Sequence, residues 1–150
     1  MPHILLARPH PFIVSEMAPF LQQQGFGFNR LLNLDSLNDE LAKADATVIS
    51  LAITSPLPQS AEELLAAIRH LKPTMPIVFA SLLPLERVQN SILRLMQAYH
   101  QPVAIASAEQ MLGAAQPGKP ATALYFCKED LADTVKRDAF AKLLKLHAKH

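Results

Sequence analysis

Six short apolar runs, at residues 3–7, 28–32, 47–53, 76–80, 103–106 and 123–127, alternate with stretches whose apolar residues repeat at helical spacing. Runs this short suit strands, and their near-continuous apolarity suits strands buried on both faces. Strand and helix in alternation predict βα units, a mostly parallel sheet and helices packed on both sides of it. The expected architecture is therefore α/β, a three-layer doubly wound sheet of five strands with a sixth as an option.

The helical segments carry their own punctuation. Ile13, Met17, Phe20, Leu21 and Gln24 fall on one face and Gly25 stops the segment, while Pro19 predicts a kink or a restart because an interior proline loses a hydrogen bond. Ser36 with Asp39 predicts a cap for a short helix, and Ser60 with Glu63 a capping box for a longer one carrying Leu64, Leu65, Ile68 and Leu71. Pro84 suits a first helical turn before the stripe Leu85, Val88, Ile92, Leu95, Met96 and Tyr99. Asp130 is the expected cap of a last helix running through Leu146. Residues 107–121, with Gln116-Pro117-Gly118-Lys119-Pro120 as a turn, form a loop or linker inside what the length of 150 residues predicts to be one domain, 1–150.

Composition narrows the function classes. Fourteen Lys and Arg against 13 Asp and Glu leave a formal charge of +1, so no general field draws in nucleic acid or an anionic membrane. Lys and Arg are frequent after Lys119, but Glu129, Asp130, Asp133 and Asp138 are interleaved with them, as on a solvated helix face. The single cysteine, Cys127, neither closes a disulfide nor builds a thiolate zinc site, and a cytoplasmic location is expected. No signal peptide and no membrane span is expected. His147 and His150 share a helix face but sit at the chain end with no third ligand nearby, so they are expected to be surface residues, and no metal or cofactor is expected.

In a parallel α/β sheet, chemistry gathers at the C-terminal ends of the strands. Here the first run, Ile4-Leu5-Leu6-Ala7, is followed by Arg8-Pro9-His10-Pro11, and the third, Ala46-Thr47-Val48-Ile49, by Ser50-Leu51. Together with the capped helix at Glu62 and Glu63 and the strand Pro76 to Ala80 followed by Ser81, this order resembles the response-regulator receiver family, a flavodoxin-like fold of the CheY type. The resemblance covers residues 3–107 and is carried mostly by apolar positions. It implies that the family's acidic pair falls on Arg8 and Pro9, its phosphoacceptor aspartate on Ser50 and its switch Ser or Thr on Ser81. The lysine that follows the family's fifth strand has two placements. If Val103 to Ala106 is that strand, Ser107 replaces the lysine; if Leu124 to Cys127 is, Lys128 retains it and Glu129 replaces the proline. A short connection from the preceding helix favours the first.

These substitutions change the chemistry on offer. Transfer of a phosphoryl group to aspartate needs Mg²⁺ held by hard carboxylate oxygens, and Arg8 puts a positive charge where that ion would sit, while serine gives no acyl phosphate. The expected function is a receiver-like, non-phosphorylatable regulatory module with no catalytic residue, working by contact with a protein partner or with a second copy of the chain. The alternative is a sensor or enzyme for a small anion, with Arg8, His10, Ser50 and Ser81 in the strand-end crevice. A hydrolytic serine is disfavoured because Ser50 lies between Ile49 and Leu51, where a nucleophile elbow needs small neighbours. The lone Gly25-Phe26-Gly27 precedes a strand, so it is no nucleotide-binding loop.

Overall fold

The structure, a computed structural model, describes residues 2–8, 10, 13–51, 59–99, 103–108 and 110–148. Its centre is a sheet of β1 (His3–Arg8), β2 (Gly27–Arg30), β3 (Ala46–Ser50), β4 (Ile77–Ser81), β5 (Ala104–Ser107), β6 (Met111–Leu112) and β7 (Thr122–Cys127), in the order β2-β1-β3-β4-β7-β5-β6. Every pairing is parallel except β5 with β6. The sheet is thus doubly wound and mostly parallel, as the alternating pattern predicts. It holds seven strands, because the chain after Ser107 turns back as the short antiparallel β6.

Strand alternation sorts the apolar residues onto two faces. On one face Leu5, Ile49, Phe79, Ile105 and Tyr125 pack beneath α2 (Leu37–Lys43), α3 (Ala61–Leu71) and α4 (Leu85–Gln97). On the other, Ile4, Val48, Val78, Leu124 and Phe126 meet α1 (Ala18–Gln23) and α6 (Thr134–His147), with Phe140 stacked between Phe20 and Phe126 at centroid distances of 5.8 and 4.8 Å. Burial of these aliphatic and aromatic side chains stabilises the fold by roughly 1.5–3 kcal/mol each.

The helix ends follow local chemistry. A π turn over Ile13–Met17 precedes α1, and Pro19 sits in the first turn of α1, where its missing N–H costs nothing. Gly25 closes the segment at φ +85°. The Ser60–Glu63 capping box forms as expected, with both bonds present. Two expected caps move. Asn33, and not Ser36, caps the turn ahead of α2 through Ser36 N–H at 3.1 Å. Asp133 caps α6, whereas Asp130 lies in the short α5 (Glu129–Ala132) and accepts from Cys127 N–H at 3.0 Å.

The expectation for the fifth strand is corrected here. The strand hydrogen-bonded beside β4 is β7, not the run at Val103 to Ala106, which forms β5 one place further out. Lys128 therefore follows the strand in the fifth position, and β5 with β6 is an addition between α4 and that strand. All six residues of β7 are buried, and they include Leu124, Tyr125 and Phe126. The shorter β5 offers only Ile105 beyond alanine and serine, a smaller share of core volume than Leu124, Tyr125 and Phe126 supply beside β4.

Candidate functional site

The C-terminal ends of β1, β3, β4 and β7 bring four of the sequence-derived positions to one edge of the sheet: Arg8, Ser50, Ser81 and Lys128. Arg8 gets there through a bulge. Leu6 pairs with Val48 but Arg8 pairs with Ile49, so Ala7 is an extra residue that re-aims the strand end. The Arg8 side chain is buried, with Nη1 donating to the Ser50 carbonyl at 2.8 Å and Nε donating to the Gln59 carbonyl at 3.2 Å. Burial lowers its pKa below the ordinary value. The guanidinium ties the end of β1 to the end of β3 and to the residue that leads into α3.

Ser50 is buried at the end of β3, and alternation with Ile49 places it on the face of Val48, towards α1 and α6. Ser81 is on the opposite face, in line with Phe79, and its Oγ accepts from Leu83 N–H at 3.0 Å. His10 is half-buried just beyond β1. Pro9, the other half of the expected acidic pair, lies outside the described residues, as does most of the proline-rich loop after Ser50, residues 52–58. Ser107 lies at the same edge but one strand further out, beyond β7 and opposite Tyr125. It ends β5 and its Oγ is engaged by its own turn, donating to the Gln110 carbonyl at 2.9 Å and accepting Gln110 N–H at 3.1 Å.

Lys128 is exposed and reaches Glu16, in the π turn ahead of α1, across 3.7 Å. That pair lines a groove of about 540 Å³ together with Phe20, Leu131 and Arg137, and Arg137 lies over the Phe20 ring at 5.5 Å and donates to the Gln23 side chain. Ion pairs this exposed contribute about 0–1 kcal/mol.

One residue of this edge escapes the sequence reading. Tyr125, three positions before Lys128, is buried beside Ser81 and donates its hydroxyl to the Leu83 carbonyl. Burial pushes its pKa up, with the hydrogen bond to Ser81 acting the other way. The Cys127 thiol contacts the Leu82 carbonyl at 4.0 Å, and Lys128 N–H donates to the Ser81 carbonyl at 3.2 Å. The backbone of residues 81–83 is thereby held inward while the Leu82 and Leu83 side chains face solvent, 51% and 48% exposed. The available signal was a tyrosine inside a run otherwise fit for full burial, since a buried phenol needs a partner.

A divalent cation needs hard oxygen ligands, several of them charged. At the ends of β1 and β3 the side chains are a guanidinium and a hydroxyl, and the two backbone carbonyls there already accept from the guanidinium. This donor set does not fit Mg²⁺. Among the described residues no group of three or more His, Cys, Asp or Glu is placed to hold a metal, and no helix is long and apolar enough to cross a membrane.

No family model matches the sequence and no curated protein is similar to it. Solved structures, by contrast, are similar over nearly the whole chain. The receiver domain of a response regulator from Clostridium thermocellum superposes with a TM-score of 0.58 at 13% identity, over 98% of this chain and 94% of that one. The receiver domain of a sensor histidine kinase from Pseudomonas aeruginosa, solved with a magnesium ion coordinated in its active-site cleft, gives 0.59 at 12% identity, over 98% and 97%. A CheY-like receiver domain from Methanospirillum hungatei gives 0.53 at 14% identity, over 97% and 98%. The chain has the CheY-like receiver fold, with Arg8 and Ser50 at the ends of its first and third strands.

Proposed function

We propose that this chain is a receiver-like signalling module that takes up neither Mg²⁺ nor a phosphoryl group and acts through contact with a protein partner. It has no catalytic turnover, forms one domain over residues 1–150 and works in the cytoplasm. The observation that carries this reading is the Arg8 guanidinium, bonded to the Ser50 and Gln59 carbonyls. A receiver changes state when its phosphorylated crevice pulls on neighbouring loops. Here a permanent internal cation holds the same strand ends together, and the shape presented to a partner is the resting one.

An anion-sensing role for the crevice is the weaker reading. Two of the five guanidinium N–H donors are committed to backbone carbonyls, so a ligand would meet a cation already tied to the strand ends.

The test is an amide NMR titration of the full chain. Acetyl phosphate with Mg²⁺, or beryllofluoride with Mg²⁺, is expected to leave the spectrum unchanged. A saturable shift centred on residues 8, 50 and 81 would overturn the proposal. A thermal-shift screen with nucleotides and phosphorylated metabolites addresses the sensor: a ligand at 100 times its dissociation constant would stabilise the chain by about 2.7 kcal/mol, and such a hit, lost in Arg8→Met, would replace the present reading.

A further inference from the structure

The opposite edge of the sheet, at the N-terminal ends of β4 and β7, holds two buried basic side chains that the crevice does not use. Arg69, in the last turn of α3, donates from Nη1 to the Pro73 carbonyl at 3.0 Å and the Met75 carbonyl at 2.7 Å, and from Nη2 to the Pro120 carbonyl at 3.3 Å. His147, in the last turn of α6, is wholly buried. Its Nδ1 accepts Gly118 N–H at 2.9 Å, so the ring proton is on Nε2, which donates to the Ile77 carbonyl at 2.9 Å. The two residues come from helices on opposite faces of the sheet, and both grip the segment that leads into β7. The expectation that His147 is a surface residue is therefore corrected; His150 lies outside the described residues.

We propose that Arg69 and His147 form an acid-released clasp on residues 116–121, so that a fall in pH frees this segment from the sheet while the strands β1 to β4 stay paired. A proton added at Nδ1 would face the Gly118 N–H donor to donor and place a second cation beside Arg69. The segment has no easy substitute for the lost bond. Gly118 sits at φ +95°, and even a methyl group there would stand 3.3 Å from the Leu146 carbonyl, so the turn is pressed against the last turn of α6.

The groups that face the ring are of one kind. From α3 comes the Arg69 charge, from β4 a carbonyl, and from the clasped segment an N–H, with Lys119 beside it exposed; on α6 itself Lys142 and Lys145 are exposed. Among the described residues no carboxylate pairs with His147 or Arg69. Nothing near the ring favours its charged form except the Ile77 carbonyl, and burial with Arg69 lowers its pKa from the ordinary 6.5 to about 4. Between those two values the open segment binds a proton more readily than the closed one, so its opening constant rises as pH falls, by at most about tenfold for each unit. This inference stands or falls separately from the behaviour of the crevice.

Amide hydrogen exchange on the full chain between pH 6.5 and 4.5, corrected for intrinsic exchange rates, reads the clasp directly. Gly118 is expected to lose protection with each unit, by at most about tenfold, at an opening free energy below that of Val48 in β3, and His147→Gln is expected to abolish the slope. Protection of Gly118 that is flat with pH, or an equal opening free energy at Gly118 and Val48, would overturn the proposal. Should His147→Gln fail to fold, Arg69→Gln serves instead: removing that cation is expected to raise the midpoint of the His147 ring titration, and an unmoved midpoint counts against the clasp.

Discussion

At the scale of single residues, the chain shows how far a substitution can be read before its surroundings are seen. That Arg8 stands at the end of the first strand follows from an apolar run that stops at a proline. What the sequence does not carry is the direction of the guanidinium. It turns to two carbonyls 42 and 51 residues away in the chain, and no local pattern encodes such partners. The structural role has a measurable consequence. Arg8→Met removes the donor from both carbonyls, one bond buried and the other part-buried, and urea unfolding is expected to give a loss of about 1–3 kcal/mol. Arg8→Lys, with one ammonium for two carbonyls in different directions, is expected to recover only part of it. A change below about 0.5 kcal/mol for Arg8→Met would mean that the guanidinium is not what ties β1 to β3. His147 and Tyr125 share the difficulty: each lies in a segment whose type is legible, but the partners that make them buried polar anchors come from elsewhere in the chain.

Element by element, legibility follows the strength of the pattern. The four runs up to residue 80, the Ser60–Glu63 box and the stripe at Leu85, Val88, Ile92 and Met96 all encode their structure locally, by period and by cap. The order of the last strands does not, since loop length argued for Val103–Ala106 in the fifth position and core volume decided for β7. The better guide was the size of the side chains: Leu124, Tyr125 and Phe126 fill both core layers beside β4, where Ile105 alone would have stood. Two predictions belong to this scale. Ser60→Ala removes the acceptor for Glu63 N–H and is expected to cost about 1 kcal/mol in unfolding free energy. Gly118→Ala is expected to cost about 1–2 kcal/mol, because an L side chain at φ +95° is strained and its Cβ meets the end of α6. If Gly118→Ala were neutral by urea unfolding, the turn ahead of β7 would not be held as described.

For the whole molecule, the two edges of the sheet do different things. At the C-terminal edge Arg8 ties the end of β1 to the end of β3, and at the N-terminal edge Arg69 and His147 hold the segment that leads into β7. Arg69, lowered by burial to about 10, stays charged at neutral pH, so the titration that matters for global stability is that of His147. Its pKa is lower in the folded chain, about 4, than in the unfolded chain, about 6.5. Unfolding therefore takes up a proton between these values, and the stability contributed by the neutral ring is fully present above pH 6.5 and is lost as the pH falls towards 4. The interval corresponds to about 3 kcal/mol, with no discount for solvent because the ring is wholly buried. Titrating groups common to both chains cancel when the wild type is compared with His147→Gln. The informative quantity is accordingly the difference between wild type and His147→Gln. Urea unfolding of both chains from pH 7 to pH 5 is expected to show the wild type losing about 2 kcal/mol more than the variant, at close to 1.4 kcal/mol per unit below pH 6.5. Parallel pH profiles for the two chains would place the His147 ring in solvent and contradict its bond to Gly118.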